Sequence, residues 1–389
     1  MDFLHRTWAQ INLDNLRHNF KQIKDKVGDC MVMCVVKANA YGHGAVAVAT
    51  ELERCGCDWF GVSNIEEAEQ LRQTGIKAPI LILGATPASC AKRLHDGDIT
   101  QALYSAEYAQ ALSQEAVKAG VEVKAHLKLD TGMRRIGFNC DDEAEVLAAA
   151  KACKLSGVAV SGVFTHFASA DFDGDEDEQG SFTDRQFRLF EETVEKLEKA
   201  GISFEVKHCC NSAATVSRTE YKLDMVREGI VLYGLSPSEE IGADGFKPVM
   251  ALRSAVSMVK TVTAGEAISY GRTFTADKDI EVATVPVGYA DGYIRAFGKG
   301  HVLVNGHRAK VLGRVCMDQL MIDVTGLGVK PDAIVTLFGD DGDESISVNE
   351  LSKLAGTINY ETVCSISHRV VRVYIKDGKQ AFSTCLLNQ

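Results

Sequence analysis

The chain has 389 residues, of which 46% are hydrophobic and 24% are charged, and its formal net charge at pH 7 is -11. This length exceeds that of most single domains, so the sequence predicts two domains with substantial cores. The acidic balance argues against nucleic acid as a partner, and no apolar run approaches the ~20 residues that a membrane helix requires.

The twelve cysteines are scattered along the chain and form no Cys-x-x-Cys pair. They therefore predict neither a zinc site nor a redox centre. Many of them stand in apolar stretches, as Cys34 does, which is typical of small buried side chains in a reducing compartment. Residues 1–10 contain no apolar signal core. We therefore expect a cytoplasmic protein without a membrane partner.

Between residues 31 and 234 the chain repeats one theme: a short apolar run, a loop and a helical pattern. The eight apolar runs cover residues 32–36, 59–62, 80–83, 101–104, 125–129, 158–164, 204–208 and 223–226. Strands that alternate with helices predict a parallel sheet. Eight such units in about 200 residues favour a closed (β/α)8 barrel, and a doubly wound open sheet is the alternative.

The helices of this half are predicted by the spacing of their apolar residues. Leu16, Phe20 and Ile23 recur four and three residues apart, as the buried face of a helix requires. Ser63 followed by Glu66 predicts a capping box that opens the helix after the second run.

The predicted secondary structure changes after about residue 236, where strand-like runs follow one another with few helical patterns. These runs cover residues 249–262, 281–287, 301–304, 310–315, 320–324, 334–338 and 369–375. Asn305-Gly306 between two of them is a strong hairpin signal, and residues 349–355 are predicted to form a short helix. The second half is therefore predicted to be mainly β.

The predicted domain organisation has three parts. Residues 1–13 contain a strand that packs with the C-terminal domain, residues 14–240 form the barrel, and residues 241–389 form the mainly β domain. The acidic segment 171–180 is rich in oxygen ligands but lacks the residue order of a calcium loop. We predict a solvated loop there and no metal site.

Lys37 stands at the C-terminal end of the first predicted strand, the end at which active sites of barrels lie. Burial at such a position lowers the pKa of an amine, which then suits Schiff-base chemistry with an aldehyde cofactor. A lysine that extends into solvent from the barrel mouth is the alternative. The small residues Ala38, Ala40 and Gly42 leave room for a flat ligand and favour the first interpretation.

Residues 36–44, Val-Lys-Ala-Asn-Ala-Tyr-Gly-His-Gly, resemble the pyridoxal-phosphate signature of alanine racemases. Seven further segments resemble motifs of the same family in the same order: 127–138, 210–214, 227–234, 269–271, 288–292, 313–318 and 358–361. The resemblance thus extends over about 320 residues. It implies a TIM-like barrel followed by a mainly β domain, and the activity of an amino-acid racemase.

The resemblance also implies a two-base mechanism that interconverts L-alanine and D-alanine with pyridoxal 5'-phosphate as cofactor. Lys37 would form the internal aldimine and serve as one base, and Tyr270 of the partner subunit would serve as the other. The resemblance likewise implies a homodimer whose active sites are shared between the subunits.

Further site residues follow from the same resemblance. The residues implied for cofactor binding are Lys37, Tyr41, Arg135, His166, Asn211, Ser212, Arg227, Gly229, Ile230 and Tyr360. The residues implied for substrate binding are Arg135, Met317 and Tyr289. Lys128 matches a position that is often carbamylated in the family. Arg227 would face the pyridine nitrogen and, being always protonated, would keep that nitrogen unprotonated.

Three other functions are compatible with parts of this pattern. One is a serine or broad-specificity racemase of the same fold, although the bulk of Tyr360 favours alanine. Another is a pyridoxal-phosphate-dependent decarboxylase, although those enzymes usually carry a glutamate in place of Arg227. The last is a non-catalytic cofactor-binding protein, which is typically a barrel without a second domain.

Overall fold

The computed structural model describes residues 6–172 and 180–385. Most of the acidic segment 171–180 therefore lies outside the described residues. The chain divides into two compact units. The barrel unit comprises Arg17–Ala40 and Ala45–Phe246, and the β unit comprises Met1–Leu16, Tyr41–Gly44 and Lys247–Gln389.

Strand β1 (Thr7–Asn12) belongs to the β unit, and the next strands along the chain build the barrel unit. The strands of the barrel unit are β2 (Met31–Val35), β3 (Trp59–Val62), β4 (Ile80–Ile82), β5 (Ile99–Leu103), β6 (Val123–Asp130), β7 (Phe138–Asn139), β8 (Val158–Phe164), β9 (Val206–His208) and β10 (Met225–Glu228). Strands β2, β3, β4 and β8 are almost wholly apolar, which is typical of parallel strands that are covered on both faces.

The barrel sheet is parallel and nearly closed. Its strands follow the order β10-β2-β3-β4-β5-β6-β8-β9, with β7 paired to β6. Backbone hydrogen bonds join its two edges, from the Asp224 N–H to the Lys207 carbonyl and from the Arg227 N–H to the Cys210 carbonyl, both at 3.1 Å. Each of the eight predicted apolar runs overlaps one strand of this sheet, so the predicted barrel is confirmed.

Helices in the first half of the chain connect these strands. They are α1 (Leu13–Val27), α3 (Ala45–Arg54), α4 (Ile65–Gln73), α5 (Ala91–Asp96), α6 (Ala106–Ala119), α7 (Glu143–Ala152), α8 (Phe182–Lys199) and α9 (Ser212–Ser217), and the short segment α2 (Lys37–Tyr41) between α1 and α3 is a left-handed turn. Leu16, Phe20 and Ile23 are buried on α1, as their spacing predicts. None of the helices in the described part of the chain combines the length and apolar character that a membrane span needs.

The predicted capping box at the start of α4 is wrong by one residue. The cap is Asn64, whose side-chain oxygen accepts the N–H of Glu67 at 2.9 Å. Glu67 in turn accepts the N–H of Ser63 at 2.8 Å. The helix is therefore capped by Asn64 instead of Ser63, and Glu67 instead of Glu66 bonds back to the residue before the cap. Asparagine is as good a cap as serine.

Among the described residues, the β unit contains the remaining strands and two α-helices. They are β11 (Met250–Ala255), β12 (Met258–Val262), β13 (Ala267–Ile268), β14 (Phe274–Thr275), β15 (Ile280–Val285), β16 (His301–Val304), β17 (His307–Leu312), β18 (Leu320–Asp323), β19 (Ile334–Asp341), β20 (Glu344–Ile346), β21 (Val371–Lys376), β22 (Lys379–Thr384), α10 (Val348–Ala355) and α11 (Asn359–Cys364). The mainly β second half is thereby confirmed.

The large sheet of the β unit follows the order β12-β15-β18-β17-β16-β19-β11-β1-β21-β22. β1 pairs antiparallel with β11 and parallel with β21. Asn305 and Gly306 connect β16 to β17 in the predicted hairpin. The predicted run 249–262 is divided into two strands, because the N–H groups of Val256 and Ser257 bond to different neighbours, Ala333 and Thr284.

Candidate active site

The chain leaves β2 through a left-handed turn that begins at Lys37. Ala38, Asn39 and Ala40 have φ angles of 52°, 55° and 54°, and Tyr41 has a φ of 52°. The left-handed region costs an L-residue roughly 1–2 kcal/mol, so neighbouring groups must hold this backbone in place. Consecutive residues of this kind are typical of functional sites.

Three hydrogen bonds hold the turn within the barrel unit. The Ala40 N–H donates to the Val36 carbonyl at 2.8 Å, and the Ala45 N–H donates to the Asn39 side-chain oxygen at 2.8 Å. Glu67 accepts the Ala38 N–H at 2.7 Å through Oε1. Since its Oε2 binds the Ser63 N–H, the Glu67 carboxylate joins the end of β3 to the residue after Lys37.

The following residues, Tyr41–Gly44, belong to the β unit and are fixed within it. Gly42 has a φ of +82°, and a Cβ on it would lie 2.3 Å from the Val363 carbonyl oxygen, so only glycine fits there. Arg372 donates from Nε to the Gly42 carbonyl at 3.1 Å. The rings of Tyr41 and Tyr360, both predicted cofactor residues, have centroids 6.1 Å apart.

Arg227 is buried inside the barrel at the end of β10. Its guanidinium donates to Nδ1 of His208 at 3.0 Å and to Nδ1 of His166 at 3.2 Å. It also donates to the carbonyls of Thr165 and Cys209, each at 2.8 Å. Burial lowers the pKa of Arg227 to about 10, so the group is still charged at neutral pH.

These contacts fix the tautomers of a histidine chain. Because a guanidinium only donates hydrogen bonds, Nδ1 of His208 is an acceptor and its proton is on Nε2. That Nε2–H donates to Nδ1 of His126 at 3.0 Å. His126 is fully buried, and its Nε2 has no hydrogen-bond partner among the described residues. Burial lowers the pKa of both histidines, that of His126 to about 4.

Four basic side chains act on His166. Its pKa is held well below the usual value by burial first, and then by the charges of Arg227, Arg135, Lys128 and Lys37. All four lie in the barrel unit: one follows β2, two are on β6 or in the loop after it, and one is on β10. Such a concentration of positive charge attracts an anionic ligand.

Lys128 is a buried lysine on β6. Its Nζ donates to the Leu129 carbonyl at 2.5 Å and lies 5.7 Å from the centroid of the Phe164 ring. Burial lowers the pKa of the amine to about 7, with Asp130 opposing and Arg227 adding to this effect. A large neutral fraction of the amine is therefore present at neutral pH.

The two adjacent arginines after β6 have different environments. Arg134 has a φ of 55° and bonds to the side chains of Asn139 and Asp141. The charge of Arg135, in contrast, acts on Lys128. Arg134 is thus engaged by the loop itself, whereas Arg135 belongs to the cluster of cations.

Residues after β9 and β10 meet at one point of the barrel mouth. Asn211 caps α9 by accepting the Ala214 N–H at 3.0 Å. The Ser212 hydroxyl accepts the Gly229 N–H at 2.9 Å, and the next residue is Ile230. Four of the predicted cofactor residues, Asn211, Ser212, Gly229 and Ile230, are therefore brought together in the barrel unit.

Three predicted residues of the β unit are large and exposed. Tyr270 is 70% exposed, Met317 is 57% exposed and Tyr289 is 43% exposed. Tyr289 and Met317 are linked because the Tyr289 and Ala290 N–H groups donate to the carbonyls of Cys316 and Met317. The Ser269 hydroxyl donates to the Arg314 carbonyl at 2.7 Å, which joins the Tyr270 turn to the same loop.

The sequence did not single out His126, His208, Glu67 or Glu228 as site residues. A signal for His126 is the alternation of polar residues along β6, since His126 and Lys128 are two residues apart and face the same side. Glu67 had no comparable signal, because its role depends on a backbone turn thirty residues earlier that no local pattern reveals.

Family models, curated relatives and solved structures that match this chain all point to the same family. The family model "Alanine racemase, N-terminal domain" matches residues 11–237, and "Alanine racemase, C-terminal domain" matches residues 249–374. The chain is 43% identical to an alanine racemase of Clostridium perfringens, with 96% of each chain covered. It is 44% identical to one of Desulforamulus reducens, with 95% of this chain and 98% of that relative covered. A crystal structure of alanine racemase from Bacillus anthracis with bound L-Ala-P matches with a TM-score of 0.93 at 35% identity, over 100% of both chains.

Proposed function

The chain belongs to the alanine racemase family of isomerases, and we propose that it interconverts L-alanine and D-alanine with pyridoxal 5'-phosphate as its cofactor. The observation that carries the proposal is the position of Lys37 at the end of a barrel strand, where its charge and that of Arg227 both act on the neutral His166. No feature of the site described above favours a serine racemase or a decarboxylase over an alanine racemase.

The donor groups of the barrel unit fit the chemistry of this cofactor. Lys37 offers an amine for the aldehyde, and Arg227 offers a buried guanidinium for the ring nitrogen. Ser212, Gly229 and Ile230 offer a hydroxyl and backbone N–H groups for the phosphate, with Asn211 capping α9 beside them. When bound, the cofactor supplies an electron-withdrawing ring that makes the Cα–H bond of an amino acid acidic.

Two bases are needed on opposite faces of the substrate. We assign Lys37 to one face, where its amine removes or returns the Cα proton, and the partner's Tyr270 to the other. A phenol has an ordinary pKa of about 10, so Tyr270 needs positive charge near its oxygen to act at neutral pH. The cations around His166 are suited to that task.

Other residues bind and orient the substrate. Arg135 is assigned to the carboxylate of alanine, together with a backbone N–H of Met317 and the side chain of Tyr289. Lys128, with its pKa of about 7, is assigned as a carbamate whose negative charge holds Arg135. Tyr41 and Tyr360, which pack against each other, are assigned to the phosphate.

We propose a homodimer in which the β unit of each subunit completes the active site of the other. The proposal is supported by the exposure of Tyr270, Met317 and Tyr289 on the β unit, because large exposed side chains that lie together mark a surface for a partner. In this arrangement each active site takes its two bases from different subunits.

A cytoplasmic location is part of the proposal. The twelve cysteines all lie in the described part of the chain and none of them is in a disulfide. Seven of them are buried, which is typical of thiols that serve as small apolar side chains in a reducing compartment.

The proposed function is tested by incubating the purified protein with L-alanine in D₂O. We expect the optical rotation to decay as deuterium enters Cα, and the protein to carry the yellow colour of bound pyridoxal phosphate. Lys37→Ala should lose colour and activity together, whereas Lys124→Ala, an exposed lysine of β6, should keep both. Release of carbon dioxide from the amino acid, or activity in Lys37→Ala, would overturn the proposal.

A further inference from the structure

Glu228 is a buried acid at the end of β10 that the proposed mechanism does not use. It stands between Arg227 and Gly229, two residues of the proposed cofactor site, and is wholly inaccessible to solvent. Side chains alternate in direction along a strand. Arg227 reaches the histidines inside the barrel, so Glu228 points the other way, toward α9.

The carboxyl group of Glu228 has few hydrogen bonds for an acid at this depth. Oε1 accepts from the Thr215 hydroxyl on α9 at 2.5 Å. Oε2 is buried and accepts no hydrogen bond of good geometry among residues 6–172 and 180–385. A buried carboxylate normally needs a cation or several donors, so this environment favours the neutral acid.

The titratable groups around Glu228 give it little charge compensation. Burial raises its pKa to about 7, while the hydroxyls of Thr215 and Ser212 and the charge of Arg227 act in the opposite direction. Cys34 lies opposite it on β2, and burial raises the pKa of that thiol well above its usual value. α9 contributes hydroxyls and no ionisable side chain.

Cys210, which follows β9, is the remaining titratable neighbour. Its thiol pKa is raised above the usual range, chiefly by a hydrogen bond with Cys209 and by burial, and the charge of Glu228 adds to the rise. Arg227 is therefore the single cation that acts on Glu228 within the described residues.

The position of Glu228 connects it to the proposed phosphate site. Its Thr215 contact holds α9, and Ser212 at the start of α9 binds the Gly229 N–H at 2.9 Å. The groups assigned to the phosphate are hydroxyls and backbone N–H groups without a formal positive charge. An ionised Glu228 beside Gly229 would therefore repel the phosphate, whereas a neutral acid would not.

We propose that Glu228 is a buried, neutral carboxylic acid, and that its neutrality allows an anion to bind at the phosphate end of the site. Cofactor binding and protonation of Glu228 therefore favour each other. The inference rests on the proposed function, because it takes the cofactor phosphate as the anion. By linkage, binding of the phosphate takes up a proton, and the affinity falls as rising pH ionises Glu228.

The test measures cofactor retention as a function of pH, independently of activity. Full-length wild type and Glu228→Gln are dialysed to equilibrium against graded pyridoxal phosphate, and the bound cofactor is measured by its absorbance. Glutamine has the shape of the neutral acid and does not ionise. Between about pH 6 and pH 9 we expect the wild-type affinity to fall about tenfold relative to that of Glu228→Gln.

Two further variants keep the test decisive if Glu228→Gln folds poorly. Thr215→Val removes a hydroxyl that stabilises the ionised form, so the decline in affinity should move to higher pH. Glu51→Gln is the matched control, since Glu51 is also buried but is paired with Arg17 and Arg54. It should keep the wild-type profile.

An infrared difference spectrum of wild type minus Glu228→Gln below pH 6 should show the carbonyl stretch of a protonated carboxylic acid. Absence of that band, or identical pH profiles for wild type and Glu228→Gln, would overturn the inference while leaving the proposed function intact. Failure of the wild type to retain the cofactor at any pH would instead overturn the proposed function, and this inference with it.

Discussion

Arg227 shows how a strong cation is kept inside the barrel by neutral acceptors. Its guanidinium donates to two imidazoles and two carbonyls, and to no carboxylate of the described residues. Because each imidazole must accept, His166 and His208 have to be neutral for the arrangement to exist. The charge of Arg227 is thus available to a ligand instead of being neutralised by the protein.

The neutral histidines predict a loss of stability in acid. The pKa of His126 is lowered to about 4 from 6.5. The stabilisation that comes from keeping this histidine neutral is therefore complete above about pH 6.5. Below that pH the histidine is protonated in the unfolded chain but not in the folded chain. The free energy of unfolding therefore falls as the pH drops toward 4. In His126→Gln the slope of unfolding free energy against pH should decrease by up to about 1.4 kcal/mol per pH unit.

Urea unfolding at several pH values between 4 and 7 measures this slope. His301→Gln, which replaces an exposed histidine on β16, is the control and should leave the slope unchanged. Equal slopes for wild type and His126→Gln would show that His126 is already protonated in the folded state.

Lys128 predicts a second residue-level outcome, since a neutral buried amine reacts with carbon dioxide. With a pKa of about 7, half or more of the amine is unprotonated at neutral pH. We expect one carbamate signal per subunit in ¹³C NMR after equilibration with labelled bicarbonate. Lys128→Ala should lose the signal and Lys124→Ala, exposed on the same strand, should keep it. A signal that survives in Lys128→Ala would contradict the assignment.

The role of an individual residue was predictable from the sequence where few chemical roles are possible for that residue type at that position. Lys37 at a strand end and Arg227 after another strand were predicted by type, position and family resemblance. His126 and His208 were not, because a histidine inside an apolar strand is usually a core residue. Their importance depends on which strands become neighbours, and that is a property of the closed sheet.

The left-handed turn Lys37–Tyr41 is the element that most directly determines the direction of Lys37. No propensity predicts four successive residues with positive φ, of which none is glycine. The turn exists because the Val36 carbonyl, Asn39 and Glu67 supply hydrogen bonds that outweigh its steric cost. The sequence predicted small residues here but not their conformation.

Glu67→Gln tests this account of the turn. The carboxylate accepts the N–H groups of Ala38 and Ser63 with separate oxygens, whereas an amide offers one acceptor and places NH₂ against the other N–H. We expect a loss of about 1–3 kcal/mol in unfolding free energy and weaker retention of the cofactor. Glu66→Gln, at a glutamate whose side chain is 69% exposed, should change stability by less than about 0.5 kcal/mol. Equal effects of the two variants would refute the account.

The boundaries of elements were predicted less well than their existence. The cap of α4 was assigned one residue early, because Ser63 and Asn64 are both good caps and three-residue spacing fits either pair. The run 249–262 was predicted as one strand, since apolar residues continue through the point at which β11 ends and β12 begins. Both errors arise where tertiary hydrogen bonds select between local alternatives.

At the scale of the whole molecule, the alternation of apolar runs and helical patterns was enough to predict the barrel. Closure of the sheet depends on Asp224 and Arg227, whose N–H groups bond across its edges, and no periodicity encodes these bonds. The β unit was predicted as a class of structure but not as a topology. The parallel pairing of β1 with β21 joins residues more than 360 positions apart.

The separation of the predicted bases between the two units has a consequence for assembly. Lys37 belongs to the barrel unit, and Tyr270 belongs to the β unit, where it is 70% exposed. If each active site takes one base from each of two subunits, variants that lack different bases must complement each other. Such complementation does not occur when both bases come from one chain.

The most direct measurement mixes Lys37→Ala with Tyr270→Phe, each inactive alone, under conditions that let subunits exchange. Half of the dimers should then be hybrids, and each hybrid should contain one site with both bases intact. The account predicts recovery of roughly one quarter of the wild-type alanine racemisation per subunit. A mixture no more active than its two components, with exchange verified by a tagged subunit, would contradict it.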